Sequence, residues 1–166
     1  MTAGKVENWV VRQATMSDVS AIMDHERSIF LHDAWSEETM RAEVLNEHCY
    51  YLVVSPTDDP TRVDAYAGIL TPRGSDDADI QTIAVAVRAR RRGVARTLMT
   101  QLIAEASRRG ASSVFLEVRA DNPSAQNLYL SMGFEQIAVR PRYYQPEGVD
   151  AHVMRLILSN EKNGAE

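Results

Sequence analysis

Between Gly93 and Gly110 the chain carries Val94, Leu98, Leu102 and Ala106 at four-residue intervals, with Met99 and Ile103 beside them. That spacing stacks apolar side chains on one face of an α-helix, and a glycine just past the last of them is a natural stop. Immediately upstream, residues 80–87 are strand-like, because Ile83, Val85 and Val87 alternate. A strand, a glycine turn and an amphipathic helix in direct succession commit the chain to a layered α/β architecture. Ile80 falls out of phase with the alternation. One extra residue near Gln81 or Thr82 restores it, which is the sequence mark of a β-bulge.

The turn between the two elements is Arg90-Arg91-Arg92-Gly93-Val94-Ala95, followed by Arg96. A glycine turn that opens a helix leaves backbone N–H groups free and presents the positive end of the helix dipole, which suits a phosphate-bearing ligand. Two better-known phosphate loops do not fit. No Lys-Ser/Thr pair follows Gly93, as GxxxxGK[ST] needs, and Ala95 stands where GxGxxG has a glycine, with no third glycine after it. Taken alone, the run is explained equally well by a solvated basic turn.

A chain of 166 residues with 45% hydrophobic and 25% charged residues has material for one core without disulfides or metals. A single domain over residues 1–158 is expected, with a flexible tail over 159–166. The net charge of −5 argues against direct nucleic-acid binding, since the arginines form a spot and not a basic face. Cys49 is the only cysteine, which leaves no disulfide framework and agrees with a reducing cytoplasm. His25, His32, His48 and His152 lack HExxH-type spacing, so no metal is expected. No segment has the length and apolarity of a membrane span or the regions of a secretory leader, and no membrane partner is expected.

Local signals supply the remaining elements. Residues 9–13 form a first strand, and Thr15, Ser17 and Asp18 offer capping groups for a helix to about Phe30, with Ile22, Met23, Ile29 and Phe30 on its apolar side. Ser36 is the natural N-cap of a second short helix to about Leu45, with Glu37 and Glu38 in its first turn. Strands are expected at 50–55, 65–70 and 113–118, and a short helix at 124–131 after Asn122-Pro123, ended by Gly133. Two last strands follow at 135–142 and 151–158. Strand and helix alternate through the centre while the chain ends in consecutive strands, so the sheet is mixed, with helices on both faces.

The order strand, Arg90-x-x-Gly93-x-Ala95, amphipathic helix, strand and asparagine loop resembles the GCN5-related N-acetyltransferase (GNAT) superfamily, whose [Q/R]-x-x-G-x-[G/A] pattern holds the pyrophosphate of acetyl-CoA. Leu116-Glu117-Val118-Arg119-Ala120-Asp121-Asn122, Leu128-Tyr129 and Met132-Gly133-Phe134 are similar to the signature of RimI-type enzymes. These acetylate the N-terminal alanine of small-subunit ribosomal protein eighteen. Trp35-Ser36-Glu37-Glu38-Thr39-Met40 and Arg142-Tyr143-Tyr144, with Asp150-Ala151 and Met154, extend the resemblance over most of the chain. The chain departs from the usual form at Ala95, where many members have glycine, and at the triple arginine, where glutamine is frequent. The resemblance implies a mixed, mostly antiparallel sheet of six to seven strands and acetyl-CoA as co-substrate.

The implied reaction is attack of an amine on the thioester carbon, which only a neutral amine can make. With ordinary pKa values near ~8 and ~10.4, roughly a tenth of an α-amino group but well under ~0.1% of a lysine is neutral at pH 7, so a modest base is enough for an N-terminal acceptor. Glu117 resembles the family's general base, acting through an ordered water; the plain alternative is a strand-end carboxylate that faces solvent or pairs with Arg119. Tyr129 resembles the general acid that protonates the departing thiolate, and the alternative is a core aromatic beside Leu128 and Phe134. The resemblance places backbone groups of Ile83, Ala84 and Val85 along the pantetheine arm. It places Arg90, Arg91, Arg92, Gly93, Val94, Ala95 and Arg96 around the pyrophosphate and Asn122 on the cofactor, although an asparagine before Pro123 is also an ordinary turn residue.

Around the acceptor groove the resemblance puts Trp35, Glu38, Arg142, Tyr143 and Tyr144, an acidic and partly aromatic set that would attract a cationic protein N-terminus. Trp35 is equally a hydrophobic staple for the second helix. The expected enzyme is a cytoplasmic, acetyl-CoA-dependent Nα-acetyltransferase, a monomer or weak dimer, working by direct transfer in a ternary complex. Two alternatives stand beside it: an acetyltransferase for a small amine or lysine side chain, and a non-catalytic acyl-CoA-binding module.

Overall fold

The computed structural model describes residues 5–158, and in it every residue of Cys49–Pro56 is buried. The side chains of this strand divide by parity, as a pleated strand buried on both faces requires. Tyr50, Leu52 and Val54 enter one core cluster, and Cys49, Tyr51 and Val53 enter another. The central sheet therefore separates two cores, each covered by helices.

In chain order the elements are β1 (Lys5–Val6), β2 (Trp9–Gln13), α1 (Val19–Phe30), α2 (Glu37–Leu45), β3 (Cys49–Pro56), β4 (Ala65–Leu70), β5 (Asp77–Val85), α3 (Val94–Arg108), β6 (Ser113–Arg119), α4 (Pro123–Ser131), β7 (Glu135–Tyr144) and β8 (Val149–Ile157). The strands lie in the order β1-β2-β3-β4-β5-β6-β8-β7. The β5–β6 pair is parallel and every other neighbouring pair is antiparallel. Seven strands have five or more residues, within the expected six to seven, and the two-residue β1 was not foreseen because two residues carry no periodicity. The tail expected at 159–166 lies outside the described residues.

The long helix forms as its stripe requires. Val94, Leu98, Met99, Leu102 and Ala106 of α3 are buried against β3, β4 and β5, each of the larger side chains contributing roughly 1.5–3 kcal/mol by leaving water. Gly110, at φ +100°, ends the helix, and Ala111 N–H closes on the Ala106 carbonyl at 3.0 Å. On the other face, Val19, Ile22 and Met23 of α1 and Met40 of α2 cover Tyr51, Val53 and Tyr66. Ser36 caps α2 by accepting from Thr39 N–H at 3.1 Å, and Asn122 caps α4 through Ala125 N–H at 3.2 Å.

The bulge is present. Gly68 pairs with Thr82 and the next residue, Ile69, pairs with Ile80, so Gln81 is the extra residue. Both bounds of β5 differ from the sequence expectation. β5 begins at Asp77 because Asp77, Ala78 and Asp79 pair with Ser113, Val114 and Phe115, a contact that local polarity cannot announce. It ends at Val85 because residues 87–89 turn into a short 3₁₀ segment that leaves Val87 exposed. The final hairpin is also folded inward: β8, not β7, pairs with β6, and β7 is an exposed edge strand.

Candidate active site

The parallel pair β5–β6 holds for only three residues, through Asp79–Phe115, although both strands continue. Beyond that point they part, directly beside the bulge at Gln81. The fork opens a cleft of about 710 Å³, walled by Gln81, Thr82 and Ile83 of β5, by residues 115–119 of β6, and by the start of α4. Two-sided strands that lose their partner leave backbone donors and acceptors facing the gap, ready for an extended ligand.

Glu117 and Tyr129 both line this cleft. Glu117 is about one-quarter exposed, with Oε1 3.2 Å from Arg140 Nε of β7. Tyr143, also on β7, has its phenol pKa raised first by a hydrogen bond to Glu117 and then by partial burial. Arg119 does not pair with Glu117. It bonds Asp33 at 3.1 Å and Asp121 at 3.0 Å, and its guanidinium lies 5.0 Å from the Tyr144 ring centre. Tyr129 is 5% exposed, stacks at a tilt on Phe134, and is pushed up to about 12 by burial. No hydrogen bond to its hydroxyl is present among the described residues, so it is a phenol held protonated at the cleft with its proton uncommitted.

Of the expected acceptor residues, Trp35, Tyr143 and Tyr144 line the cleft and Glu38 and Arg142 do not. Glu38 is exposed in the first turn of α2. Arg142, at φ +53°, is exposed on β7 and gives its backbone N–H to Asp150 at 2.9 Å. Trp35 lines the cleft and also packs on the α1–α2 core. Asn122 lines the cleft while its Oδ1 caps α4.

Ile83 lines the cleft; Ala84 and Val85 do not. Ala84 is buried in the α1–α2 core, and the Val85 carbonyl accepts from Arg90 Nε at 3.0 Å. The arginine turn lies outside the lining residues. Arg91 and Gly93 take left-handed φ values of +61° and +76°, and α3 starts at Val94 with no side-chain cap, so the first N–H groups, including those of Val94, Ala95 and Arg96, are open to an anion. Arg91 and Arg92 stand exposed beside them, and Arg96 ties α3 to α4 through Ser131 Oγ at 2.7 Å. An open helix start with added positive charge fits a pyrophosphate, and the fork fits the extended arm that would run from it.

Sequence reasoning missed several cleft residues. Glu26 of α1 is 1% exposed and lines the cleft. Burial raises its pKa, against the opposing effect of hydrogen bonds from Tyr66 and from Trp35 N–H, the latter 3.1 Å long. The signal was present: position 26 continues the apolar stripe of Ile22 and Met23. Asp33, Arg119 and Arg140 come from three separate elements and have no such signal. Cys49 does not line the cleft. Its thiol is pushed up to about 12 by burial and by Glu43, to which it donates at 2.9 Å. Among the described residues no group of three or more His, Cys, Asp or Glu could hold a metal ion, and no helix is long and apolar enough to cross a membrane.

A mixed sheet that forks beside a bulge, a carboxylate and a phenol that line the fork, and an uncapped basic helix start that follows β5 together define a class of acyl-transfer proteins. Residues 18–134 match the acetyltransferase (GNAT) family, and the chain belongs to that family. It is an acetyltransferase with acetyl-CoA as co-substrate. It is 34% identical over 144 residues to the N-alpha-acetyltransferase RimI of Mycobacterium tuberculosis, covering 85% of this chain and 87% of that one. To the [ribosomal protein bS18]-alanine N-acetyltransferase of Salmonella typhimurium it is 39% identical over 127 residues, covering 75% and 82%. An uncharacterized Mycobacterium leprae protein is 36% identical over 149 residues, but the chain spans only 40% of its length. Among solved structures, the ribosomal-protein-S18-alanine N-acetyltransferase of Escherichia coli superposes with a TM-score of 0.77 at 29% identity, over 93% of this chain and 97% of that one.

Proposed function

We propose that this chain transfers the acetyl group of acetyl-CoA to the N-terminal α-amino group of a protein in the cytoplasm, with the alanine terminus of ribosomal protein bS18 as acceptor. The observation that carries the reading is that Glu117 and Tyr129 face one cleft at the fork of β5 and β6. Similarity to relatives named for bS18-alanine acetylation supports the choice of acceptor.

In this reading the pyrophosphate rests on the turn formed by Arg90, Arg91, Arg92, Gly93, Val94, Ala95 and Arg96, and Asn122 bonds the cofactor from the α4 start. Backbone groups of Ile83, Ala84 and Val85 run beside the pantetheine arm. Trp35, Tyr143 and Tyr144 hold the acceptor terminus, with Glu38 and Arg142 further out. The acceptor ammonium gives a proton to Glu117, directly or through water. The neutral nitrogen attacks the thioester carbon, the C–N bond forms as the C–S bond breaks, the nitrogen sheds its second proton to solvent, and the Tyr129 phenol delivers its proton to the departing sulfur. Solvent restores both groups. Direct transfer agrees with Cys49, whose thiol is buried, held protonated and away from the cleft. The working unit is a monomer or weak dimer.

A peptide panel tests the acceptor. An Ala-starting basic peptide should be acetylated faster than a peptide with only an internal lysine or a free polyamine; equal rates on all three would sink the Nα reading. Mass spectrometry of protein N-termini in cells with and without the chain identifies the natural acceptor, and loss of acetylation at bS18 is the expected result.

A further inference from the structure

The extra residue of the bulge is gripped by its side chain. Gln81 has no partner on β4, since the ladder passes from Gly68–Thr82 to Ile69–Ile80. Its amide is held from two other elements. The Tyr51 hydroxyl of β3 donates to Gln81 Oε1 at 2.6 Å, and Gln81 Nε2 donates to Glu43 Oε2 of α2 at 3.1 Å. The Cys49 thiol supports the same Glu43 oxygen at 2.9 Å.

Tyr51 reaches the bulge because the strand between has no side chain in the way. It is the register partner of Gly68, and a Cβ at Gly68 would lie 2.2 Å from Cε1 and Cζ of the Tyr51 ring. Gly68 is thus required by space. Tyr51, Gly68 and Gln81 lie on three adjacent strands and act as one device.

We propose that Gln81 is a positioning residue for acetyl transfer: held by Tyr51 across Gly68 and by Glu43, it fixes the bulge and with it the β5 backbone that meets the thioester. The reason is register. An unpaired residue in an alternating strand can slip by one place, and a slip turns every following side chain to the opposite face. A side chain bonded at both ends of its amide blocks that slip. The amide accepts from a phenol and donates to a carboxylate together; an ionised glutamate lacks the donor, and methionine has no donor and only a weak acceptor. The grip also joins the two halves of the site, because Glu43 belongs to the helix that follows Trp35.

The inference rests on the acetyltransferase reading of the same cleft, and the test separates the two. Tyr51→Phe, Gln81→Met and the double variant are compared with wild type in kcat, acceptor KM, acetyl-CoA affinity and thermal midpoint. Each single variant should lose about fivefold or more in kcat with acceptor KM within about twofold, and the double variant should lose no more than the worse single one. Gly68→Ala should reproduce the loss by pushing the Tyr51 ring away. Unchanged kcat in both single variants, multiplying losses in the double variant, or a drop in thermal midpoint alone would each overturn the positioning role. A wild-type protein that acetylates no amine would instead overturn the reading beneath it.

Discussion

Arg140 Nε lies 3.2 Å from Oε1 of Glu117, so the cleft carboxylate is paired from β7 while its near neighbour in sequence, Arg119, is turned to Asp33 and Asp121. The pair reaches over β8, since Glu117 is level with Val153 and Arg140 with Ala151. A guanidinium on Glu117 competes with the incoming ammonium of an acceptor.

Arg140→Met should therefore lower the acceptor KM by about threefold, and it should leave the thermal midpoint within ~3 °C because an exposed pair contributes no more than ~1 kcal/mol. Steady-state kinetics with the Ala-starting peptide and a thermal melt check both. Glu117→Gln is expected to keep acetyl-CoA affinity and lose on the order of tenfold or more in kcat; unchanged turnover would remove the base assignment.

Tyr129 is pushed up to about 12 by burial, and a phenol donates only while protonated. As pH rises through 10 the donor stays intact, so Tyr129 should impose no loss of activity below that value. Tyr129→Phe should retain acetyl-CoA binding and lose about tenfold or more in kcat across the whole range. A pH–rate profile of both proteins decides it: a wild-type basic limb near 9 that vanishes in Tyr129→Phe would contradict the raised pKa, and unchanged kcat in Tyr129→Phe would remove the general-acid assignment.

Gly93 immediately precedes α3 in the basic turn. Its φ of +76° is left-handed, and a Cβ there meets nothing within 4 Å. The strain, not a clash within the protein, is the first cost, roughly 1–2 kcal/mol for a β-branched residue. Gly93→Val should weaken acetyl-CoA binding by about tenfold in calorimetric titration, with Glu117 and Tyr129 untouched.

Asp64 is wholly buried and holds Arg62 and Arg88 together with Trp9 Nε1, 2.8 Å away. Burial alone would raise its pKa, but hydrogen bonds from Arg62, Trp9 and Arg88 outweigh it and the folded value is lowered. A lowered folded pKa means that this stabilisation is present above the ordinary carboxylate value of about 3.9 and is lost as pH falls through the folded one. Asp64→Ala should cost about 3 kcal/mol at pH 7, and its deficit against wild type should shrink toward pH 2. Urea unfolding at both pH values measures this.

The bulge was legible because Ile80 breaks the phase of Ile83 and Val85 within one strand, and the basic turn because Arg90 to Ala95 separates two clear periodicities. The cap at Ser36 was legible for the same reason, since its bond reaches three residues ahead. Glu26 was readable only as an anomaly on an apolar stripe, and its partners Tyr66 and Trp35 were not readable at all.

Short-range order in the sequence thus determined the main helices, the seven longer strands, the uncapped basic turn and the likeness that names the chemistry. Tertiary structure decided what those elements meet: that β8 enters between β6 and β7, that Glu117 takes Arg140 and not Arg119, and that Tyr51 crosses Gly68 to hold Gln81. Periodicity and capping act between residues a few positions apart, whereas these contacts join residues 23 to 30 positions apart, or whole strands, whose approach depends on the closed sheet.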